Sequence, residues 1–318
     1  MTFLVCGEAL YDVFVGAPTP TGFALDARIG GSAFNVAVGM ARLGMPAGLF
    51  AGVGTDALGD GLAAALAAEG VDPALLRRKA LRTTLALVAL GADGGARYSF
   101  YGENAADRAL TEADLPPLDG VRALMFGCLS LLTEPTGSSY LALARRAGAL
   151  GPGRPLITLD PNIRPTVEPD MDVWRARVAA FAACADLVKL SAEDLSALHP
   201  GVDPAEAARA FLDSGVKLVA LTRGGEGATI WGRFGEVRMP APEVAVVDTV
   251  GAGDSFLAAL IAALAADGRA TPAGLAALDA PRARAALGFA VRAAALTCAR
   301  RGADLPRRAE VGAGEGEA

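Results

Sequence analysis

Short apolar runs typical of β-strands alternate with Ala/Leu-rich helical segments along almost the whole chain. The strand-like runs are Phe3–Cys6, Gly48–Val53, Leu85–Leu90, Leu124–Phe126, Leu156–Asp160, Leu187–Leu190 and Leu218–Thr222. The helical segments between them are Asn35–Leu43, Gly59–Glu69, Ser138–Ala149, Trp174–Ala183 and Pro204–Ser214. Strands that alternate with helices usually pair in parallel and are covered by helices on both faces. The pattern therefore predicts an α/β fold with a mostly parallel central sheet.

Two segments depart from this alternation and read as hairpin-like strands, at about residues 11–30 and 83–102. Strands outside the βα alternation predict a small side sheet that lies over the main domain as a lid. The chain shows no internal repeat and no long linker, so we expect a single domain over residues 1–306. The remaining residues, 307–318, end in Gly-Ala-Gly-Glu-Gly-Glu-Ala and are expected to form a flexible tail.

Composition excludes several classes of function. The formal net charge is −6 and no Lys/Arg-rich block is present, which argues against a nucleic-acid surface. Glu8 and Asp12 interrupt the first apolar segment, which has no basic leader; we expect no membrane span and a cytoplasmic protein. The four cysteines form no CxxC pair, which favours free thiols. The single histidine, His199, precedes Pro200 in a loop, and this argues against mechanisms that depend on histidine.

The most informative motif is Asp-Thr-Val-Gly-Ala-Gly-Asp-Ser-Phe at residues 248–256, directly before a helical run. Backbone N–H groups of Gly251, Ala252 and Gly253 would converge at the helix N-terminus and form an anion hole for a phosphoryl group. Asp254 is placed to accept the proton of an attacking hydroxyl, as phosphoryl transfer requires. The alternative is that Asp254 caps the helix and the glycines only make a turn.

A second motif, residues 30–44, places two glycines at the entry to a helix and a side-chain amide in its first turn. Gly31 would let a ligand approach the backbone closely, and Asn35 offers both a donor and an acceptor to a pair of sugar hydroxyls. The alternative is a capping network built on Ser32 and Asn35.

Three further motifs follow directly after predicted strands, where ligands bind in open α/β sheets. Asn162 and Arg164 would face the cleft, unless Pro161 and Pro165 simply set a surface turn. Glu193 and Asp194 could hold Mg²⁺ through water, or they could be the acidic first turn of a helix capped at Ser191. The Gly-rich segment from Thr222 to Gly227 could line a nucleotide or form an ordinary hairpin turn.

In this order and spacing the motifs resemble the ribokinase-like (PfkB) carbohydrate kinases, with residues 30–44 as the N-terminal signature and 248–256 as the C-terminal one. The resemblance implies a ribokinase-like fold, the cofactors ATP and Mg²⁺, and a K⁺ site beside the anion hole, for which Asp248 is the candidate. It assigns the general base to Asp254 and the anion hole to Gly251–Gly253. The resemblance places the sugar at Asp12, Gly31 and Asn35, and the nucleotide at Lys189, Thr222, Gly224 and Gly227. Ser191 and Asp194 stand where the family has its Asn-x-x-Glu magnesium and phosphate motif, and both residues differ from that motif.

The second lid segment bears on the sugar. Residues 97–107 resemble bacterial fructokinases, whereas the related 2-keto-3-deoxygluconate kinases tend to have an arginine where this chain has Gly102. Loss of a carboxylate-binding arginine favours a neutral sugar, and the resemblance implies conversion of D-fructose to fructose 6-phosphate. Tyr98, Phe100 and Tyr101 are expected to close over the sugar. The alternatives are 2-keto-3-deoxygluconate, ribose or a nucleoside as substrate.

Two rival functions come from other classes. A dinucleotide-dependent oxidoreductase needs G-x-G-x-x-G after its first strand, and this chain has Cys6-Gly-Glu-Ala-Leu there. A non-catalytic sugar sensor would not need the intact Gly-Ala-Gly-Asp run. The family resemblance also implies a homodimer through the lid strands, for which Val13, Val15 and Phe23 provide an apolar face.

Overall fold

The computed structural model of the chain describes residues 2–90 and 96–312, with the backbone alone at residues 90 and 96–98. The strands within these residues are β1 (Thr2–Cys6), β2 (Leu10–Thr19), β3 (Gly22–Gly30), β4 (Ala47–Phe50), β5 (Gly52–Gly54), β6 (Arg77–Lys79), β7 (Leu85–Leu90), β8 (Ala96–Tyr101), β9 (Val121–Gly127), β10 (Leu156–Asp160), β11 (Leu187–Ser191), β12 (Leu218–Thr222), β13 (Ala228–Gly232) and β14 (Gly235–Met239). The helices are α1 (Ser32–Arg42), α2 (Ala57–Ala68), α3 (Thr136–Gly148), α4 (Met171–Ala182), α5 (Ala192–Leu198), α6 (Pro204–Asp213), α7 (Ala252–Ala266), α8 (Pro272–Ala276), α9 (Ala280–Cys298) and α10 (Arg308–Gly312).

The central sheet has eight strands in the order β14-β13-β12-β11-β10-β9-β1-β4. Neighbours from β4 to β12 pair in parallel, and β13 and β14 add an antiparallel edge. This confirms the mostly parallel sheet that the alternation predicts.

Helices cover both faces of the sheet because each strand sends alternate side chains to opposite sides. On β1, Phe3 and Val5 pack into one apolar cluster with residues of α1, α7 and α9. The intervening Leu4 and Cys6 pack into a second cluster with Tyr140 of α3 and residues of α4, α5 and α6. The sheet therefore lies between two apolar cores, one on each face.

The predicted lid is also confirmed, as a separate four-stranded sheet in the order β3-β2-β7-β8. Its two hairpins are antiparallel, and β2 joins β7 in parallel. At the end of β3 the chain passes straight into α1 through Gly31, which has a φ of 104°. A Cβ at Gly31 would lie 2.7 Å from the carbonyl oxygen of Glu8, so only glycine allows this close passage. The lid is thus joined directly to the first functional helix.

Strand register brings the predicted strand-end motifs to one edge of the central sheet. Ser191 at the end of β11 lies opposite Thr222 at the end of β12. Asp160, the last residue of β10, lies opposite Gly127 at the end of β9. The loops that follow these strands consequently open on the same side, facing the lid.

Two expectations about the fold are wrong in part. The run Gly48–Val53 is not one strand, because β4 ends at Phe50 and β5 leaves the central sheet to pair with β6. The expected flexible tail begins too early, since α10 is a helix in which Val311 is 1% exposed and Glu310 forms an ion pair with Arg300. Residues 313–318 of the expected tail lie outside the described residues, and so do residues 92–95, which would form the turn of the second hairpin-like segment. Among the helices that the structure describes, none is both long and apolar enough to cross a membrane.

Candidate active site

A cleft of about 830 Å³ lies between the lid and the carboxyl edge of the central sheet. Predicted site residues that line it are Asp12, Gly31, Asn35, Phe100, Asn162, Arg164, Lys189, Glu193, Thr222, Gly224, Gly227, Gly251, Ala252, Gly253 and Asp254. A second cavity, about 520 Å³ between the β12–β14 edge and α6, holds none of the predicted residues. The fold therefore gathers both signature segments and the strand-end motifs around one space.

Asp254 lies in the first turn of α7, with 7% of its surface exposed. The Ser32 hydroxyl donates to its Oδ1 over 2.6 Å, and the Asn35 amide donates to its Oδ2 over 2.8 Å. The hydrogen bonds that its carboxylate accepts come from α1, and the N-cap position of α7 is Gly251. This geometry disfavours the alternative in which Asp254 serves only as a helix cap.

Opposing effects set the basicity of Asp254. Burial raises the pKa of Asp254 above its ordinary value, while the hydrogen bonds from Ser32 and Asn35 and the charges of Lys189 and Arg164 lower it. Burial prevails, so the pKa is raised overall. A carboxylate that is more basic than usual, and held in place by two donors, is suited to accepting a proton.

The backbone before Asp254 has the left-handed geometry expected of an anion hole. Gly251 has a φ of 79°, and a Cβ there would lie 2.7 Å from the Cβ of Ala303. The N-terminus of α7 adds positive potential at this point. The N–H of Ala252 donates to the carbonyl of Thr249 over 3.2 Å, so of the three predicted amides this one already has a partner.

Lid residues and Asp12 form the end of the cleft nearest β2. Asp12 packs closely on Gly30, because a Cβ built on Gly30 would lie only 2.2 Å from the Oδ2 of Asp12. Burial of its carboxyl group raises the pKa of Asp12 to about 6. Phe100 lines the cleft. Tyr101 does not, and 64% of its surface is exposed, so the geometry disfavours the predicted contact of Tyr101 with substrate. Neighbouring strand residues face opposite sides of a sheet, so β8 can direct only one of the two inward. The side chain of Tyr98 lies outside the described residues.

The space beside Gly102 is already filled. A Cβ at this position would lie 2.9 Å from both the Nε of Arg108 and the Oγ1 of Thr84. Thr84 in turn donates to the buried carboxylate of Asp107 over 2.5 Å. A longer side chain at residue 102 would require this buried group to rearrange.

The loop after β10 presents its side chains to the cleft through an unusual backbone. Asn162 has a φ of 45°, in the left-handed region that asparagine adopts more readily than most residues. Its amide contacts the Cys128 sulfur at 3.5 Å, and Arg164 donates to the carbonyls of Asn162 and Ile163. Both Asn162 and Arg164 line the cleft, where the sequence predicts them.

Asp194 does not line the cleft, in contrast to its predicted role as a metal ligand. Its Oδ1 accepts from the backbone of Ile163 over 2.7 Å, and its Oδ2 accepts from the backbone of Ser191 over 2.9 Å. The N–H of Asp194 donates in turn to the hydroxyl oxygen of Ser191, so the geometry favours the helix-capping alternative. Asp194 thereby ties the start of α5 to the loop that carries Arg164. The neighbouring Glu193 is exposed and does line the cleft.

The carboxylate of Asp248, the candidate for a K⁺ site, is held by backbone donors. Its Oδ1 accepts from Val250 over 3.1 Å, and its Oδ2 accepts from Gly302 over 2.9 Å. Burial opposes these bonds, but the pKa of Asp248 is lowered overall. Each oxygen keeps a second lone pair, so the ionised carboxylate can still contact a cation.

The opposite end of the cleft is glycine-rich and apolar, as a nucleotide requires. Thr222, Gly224 and Gly227 line it, and Gly227 has a φ of 91° with no room for a Cβ beside the carbonyl of Met239. The apolar wall at this end is formed by Val244, Val246, Val291, Ala294 and Ala295. Val244 and Val246 lie in an irregular loop that no motif marks, whereas the other three lie on α9 within residues 289–298, where the family resemblance implies the adenine pocket.

Glu8 is a cleft residue that the motifs did not assign. It is 2% exposed and accepts hydrogen bonds from the backbone and the hydroxyl of Ser130. A single acid directly after the first apolar strand is the signal that could have found it.

Comparison with known proteins gives consistent results across the chain. Residues 4–309 match the family described as pfkB family carbohydrate kinase. A fructokinase of Rhizobium leguminosarum bv. trifolii is 41% identical over 279 residues, which cover 87% of this chain and 83% of that protein. The structure of Xylella fastidiosa fructokinase with bound ATP has a TM-score of 0.89 and 28% identity, and the match covers 98% of this chain and 97% of that one. A Vibrio cholerae O395 fructokinase with bound fructose, ADP and calcium ion has a TM-score of 0.79 and 26% identity, covering 98% of each chain.

Proposed function

The chain belongs to the pfkB family of carbohydrate kinases, and, since it is a fructokinase-like sugar kinase, we propose that it transfers the γ-phosphoryl group of ATP to D-fructose. The products are ADP and fructose 6-phosphate. One observation carries the proposal: the buried carboxylate of Asp254 is held at the N-terminus of α7, where the lid end and the glycine-rich end of the cleft meet.

At the sugar end, Asp12 accepts hydrogen bonds from sugar hydroxyls, and the backbone at Gly31 lets the sugar approach closely. Asn35 gives its amide N–H to Asp254 and keeps its carbonyl oxygen as an acceptor for the sugar. Asp254 takes the proton from the primary hydroxyl as that oxygen forms its bond to phosphorus. The bond between the γ-phosphorus and the bridging oxygen breaks, and ADP leaves.

At the phosphoryl end, the amides of Gly251 and Gly253 and the dipole of α7 stabilise the charge on the transferring group. Thr222, Gly224 and Gly227 border the nucleotide, and the apolar wall around Val291 suits adenine.

The donor set of the cleft suits Mg²⁺, because this ion is usually bound by one or two carboxylates, water and substrate phosphates. Glu193 is an exposed carboxylate at the cleft that would hold the ion through water, and the ion would neutralise phosphate charge. Asp248 would hold K⁺ beside the anion hole. A turnover rate that is equal in K⁺ and Na⁺ would contradict this role of Asp248.

The lid excludes water when it closes on the sugar through Phe100, which limits hydrolysis of ATP. Gly102 has no side chain to pair with a substrate carboxylate, and this supports a neutral sugar, although the guanidinium of Arg108 lies beside it.

A coupled ADP-release assay over a panel of sugars tests the substrate. We expect kcat/KM for D-fructose to exceed that for 2-keto-3-deoxygluconate, ribose and nucleosides by about tenfold or more, which is the net cost of losing one hydrogen bond. A higher value for 2-keto-3-deoxygluconate would overturn the assignment of fructose. Absence of ADP formation with every sugar would favour the non-catalytic sensor.

We also infer a homodimer formed through the lid. Val13, one of the expected contact residues, is buried in the protein's own core, whereas Phe23 and Leu25 are 63% and 61% exposed. Light scattering after gel filtration should give twice the chain mass for the wild type and a lower mass for Phe23→Asp. An unchanged mass in Phe23→Asp would exclude Phe23 from the interface.

A further inference from the structure

Glu8 brings a buried carboxylate to the wall of the cleft. It is 2% exposed and yet lines the cleft. The hydrogen bonds described for its carboxylate come from the N–H of Ser130, over 3.3 Å, and from the hydroxyl of Ser130, and both donors are neutral. Burying a charge against neutral donors costs free energy that a hydrophobic side chain would not cost. Stability alone is therefore a weak explanation for an acid at this position.

The backbone places Glu8 at the sugar end of the cleft. A Cβ built on Gly31 would lie 2.7 Å from the carbonyl oxygen of Glu8, and Gly31 is the residue at which the proposed sugar approaches the backbone. Ser130 belongs to the turn after β9, in which Cys128 and Leu129 also line the cleft. Both bonds from Ser130 are accepted by Oε2, so the carboxylate keeps acceptor capacity on Oε1. A sugar bound beside Gly31 would meet an acceptor that is already oriented.

Neighbouring groups show that the charge of Glu8 acts at this end of the cleft. Burial raises the pKa of Asp107 to about 6, and the charge of Glu8 adds to this increase. Burial also raises the pKa of the Cys128 thiol, and the charge of Glu8 again adds to the increase. A negatively charged group of a substrate would be disfavoured here in the same way.

The cations of this region have acidic neighbours other than Glu8. Arg108, beside Gly102, is one of the groups that oppose the increase in the pKa of Asp107 caused by burial. Burial acts to lower the pKa of Arg164, but nearby negative charges raise it overall, and the carboxylates among them are those of Asp160, Asp194 and Asp254. We therefore expect a bound substrate to experience the negative charge of Glu8.

We propose that Glu8 is a specificity-determining residue, which accepts a hydrogen bond from a sugar hydroxyl and repels a substrate carboxylate. The proposal rests on the sugar kinase function proposed above and adds a reason why the cleft selects a neutral sugar. An ionised carboxylate accepts from a hydroxyl but has no proton to donate to a second carboxylate. Ser130 is the positioning residue, because its two donors fix Oε2. Glu8 and Gly102 then act in the same direction, since Gly102 offers no donor to a carboxylate and Glu8 repels it.

Two ligands that differ in one group separate this role from a purely structural one. In 2,5-anhydro-D-mannonate a carboxylate replaces one CH₂OH group of 2,5-anhydro-D-mannitol, and calorimetry without nucleotide measures the binding of each. Glu8→Gln keeps the size of the side chain and an acceptor for Ser130 but removes the charge. It should bind the neutral ligand about tenfold or more weakly, as loss of a charged hydrogen bond predicts. It should bind the acid about tenfold or more tightly, because a like charge is removed.

Turnover provides the same comparison for the reaction. In Glu8→Gln, kcat/KM should fall for D-fructose and rise for 2-keto-3-deoxygluconate. Glu8→Asp keeps the charge and withdraws the acceptor, so it should lose activity on fructose without gaining activity on the acid. Asp186→Asn is the matched control, because it removes another buried carboxylate, 1% exposed and paired with Arg154 away from the cleft. The ratio of the two kcat/KM values should stay at the wild-type value in Asp186→Asn.

The proposed substrate and the role of Glu8 are measured separately. A wild type that prefers 2-keto-3-deoxygluconate would overturn fructose as the substrate, whereas the role of Glu8 depends on the change between the wild type and its variants. Affinities for the neutral ligand and the acid that change by the same factor in Glu8→Gln, or do not change, would overturn this role. Unchanged affinity of Glu8→Asp for the neutral ligand would overturn it as well, so the test does not depend on one variant.

Discussion

The side-chain amide of Asn35 donates to the Oδ2 of Asp254 over 2.8 Å, joining the first turn of α1 to the first turn of α7 across 219 residues of sequence. One end of this contact is the proposed sugar-binding amide and the other is the proposed base. The sugar and the group that deprotonates it are thereby held in fixed geometry. Such positioning lowers the entropy cost of bringing the reacting groups together.

The donors on Asp254 should control the pH dependence of turnover. Because the bonds from Ser32 and Asn35 lower the pKa of Asp254, removing either one should raise that pKa. In Ser32→Ala we expect the acid limb of the kcat–pH profile to move to higher pH, with KM for fructose nearly unchanged. Asn35→Ala should show the same movement and a higher KM, because it also loses a sugar contact. An acid limb that stays in place in Ser32→Ala would contradict the role of this donor.

The two ends of α7 offer a matched test of the anion hole. Gly251 and Gly268 have φ values of 79° and 70°, but only Gly251 has a neighbour where a Cβ would go, Ala303 at 2.7 Å. Gly268→Ala should cost about 1 kcal/mol of unfolding free energy, the price of a left-handed alanine, and keep full activity. Gly251→Ala should cost more and lose most of its kcat. Denaturant unfolding measures the loss of stability, and the ADP-release assay measures kcat. Equal losses of kcat in the two variants would contradict the role of Gly251 in the anion hole.

Asp12 should make sugar binding depend on pH. Burial raises the pKa of Asp12 to about 6, so it becomes protonated, and loses its anionic acceptor, as the pH falls through that value. We expect the affinity for fructose, measured by calorimetry without nucleotide, to weaken below about pH 6. Asp12→Asn should bind more weakly by about 10-fold or more and lose this dependence. Asp254→Asn is the control and should retain it; if only Asp254→Asn abolished it, the dependence would belong to Asp254.

The two aromatic residues at the end of β8 should differ in effect. Phe100→Ala removes a residue that lines the cleft and should raise KM for fructose several-fold and increase ATP hydrolysis without sugar. Tyr101→Ala changes an exposed residue on the other side of the lid sheet and should leave both unchanged. A larger effect of Tyr101→Ala on KM would mean that the lid faces the sugar in a different register.

Local patterns in the sequence predict the sheet well. Leu156–Asp160 and Leu218–Thr222 are strands with the predicted bounds, because a buried parallel strand is a nearly continuous apolar run. The lid hairpins were also predicted, from segments that break the alternation. The sequence did not show that β5 would leave the central sheet, since its side chains are as apolar as those of β4.

The site was predicted where a backbone motif marks it and missed where only packing defines it. Asp254 and Gly251 belong to a motif whose glycines allow the left-handed backbone turn before α7. Asp194 kept two readings in the sequence, because an acid three residues after a serine can cap a helix or hold a metal; its bonds with Ser191 and Ile163 favour the capping role. The side of the lid sheet on which Tyr101 lies depends on the strand register of the lid, which the sequence alone does not determine.

Turnover of D-fructose by Asp254→Asn tests the account most directly, because asparagine keeps the size of the side chain and cannot act as the base. We predict that kcat falls by about 10³-fold or more, within the range expected for loss of a general base, while the Kd for fructose changes only a few-fold. A variant that keeps kcat within about tenfold of the wild type, below the smallest loss expected for a general base, would show that Asp254 is not the base.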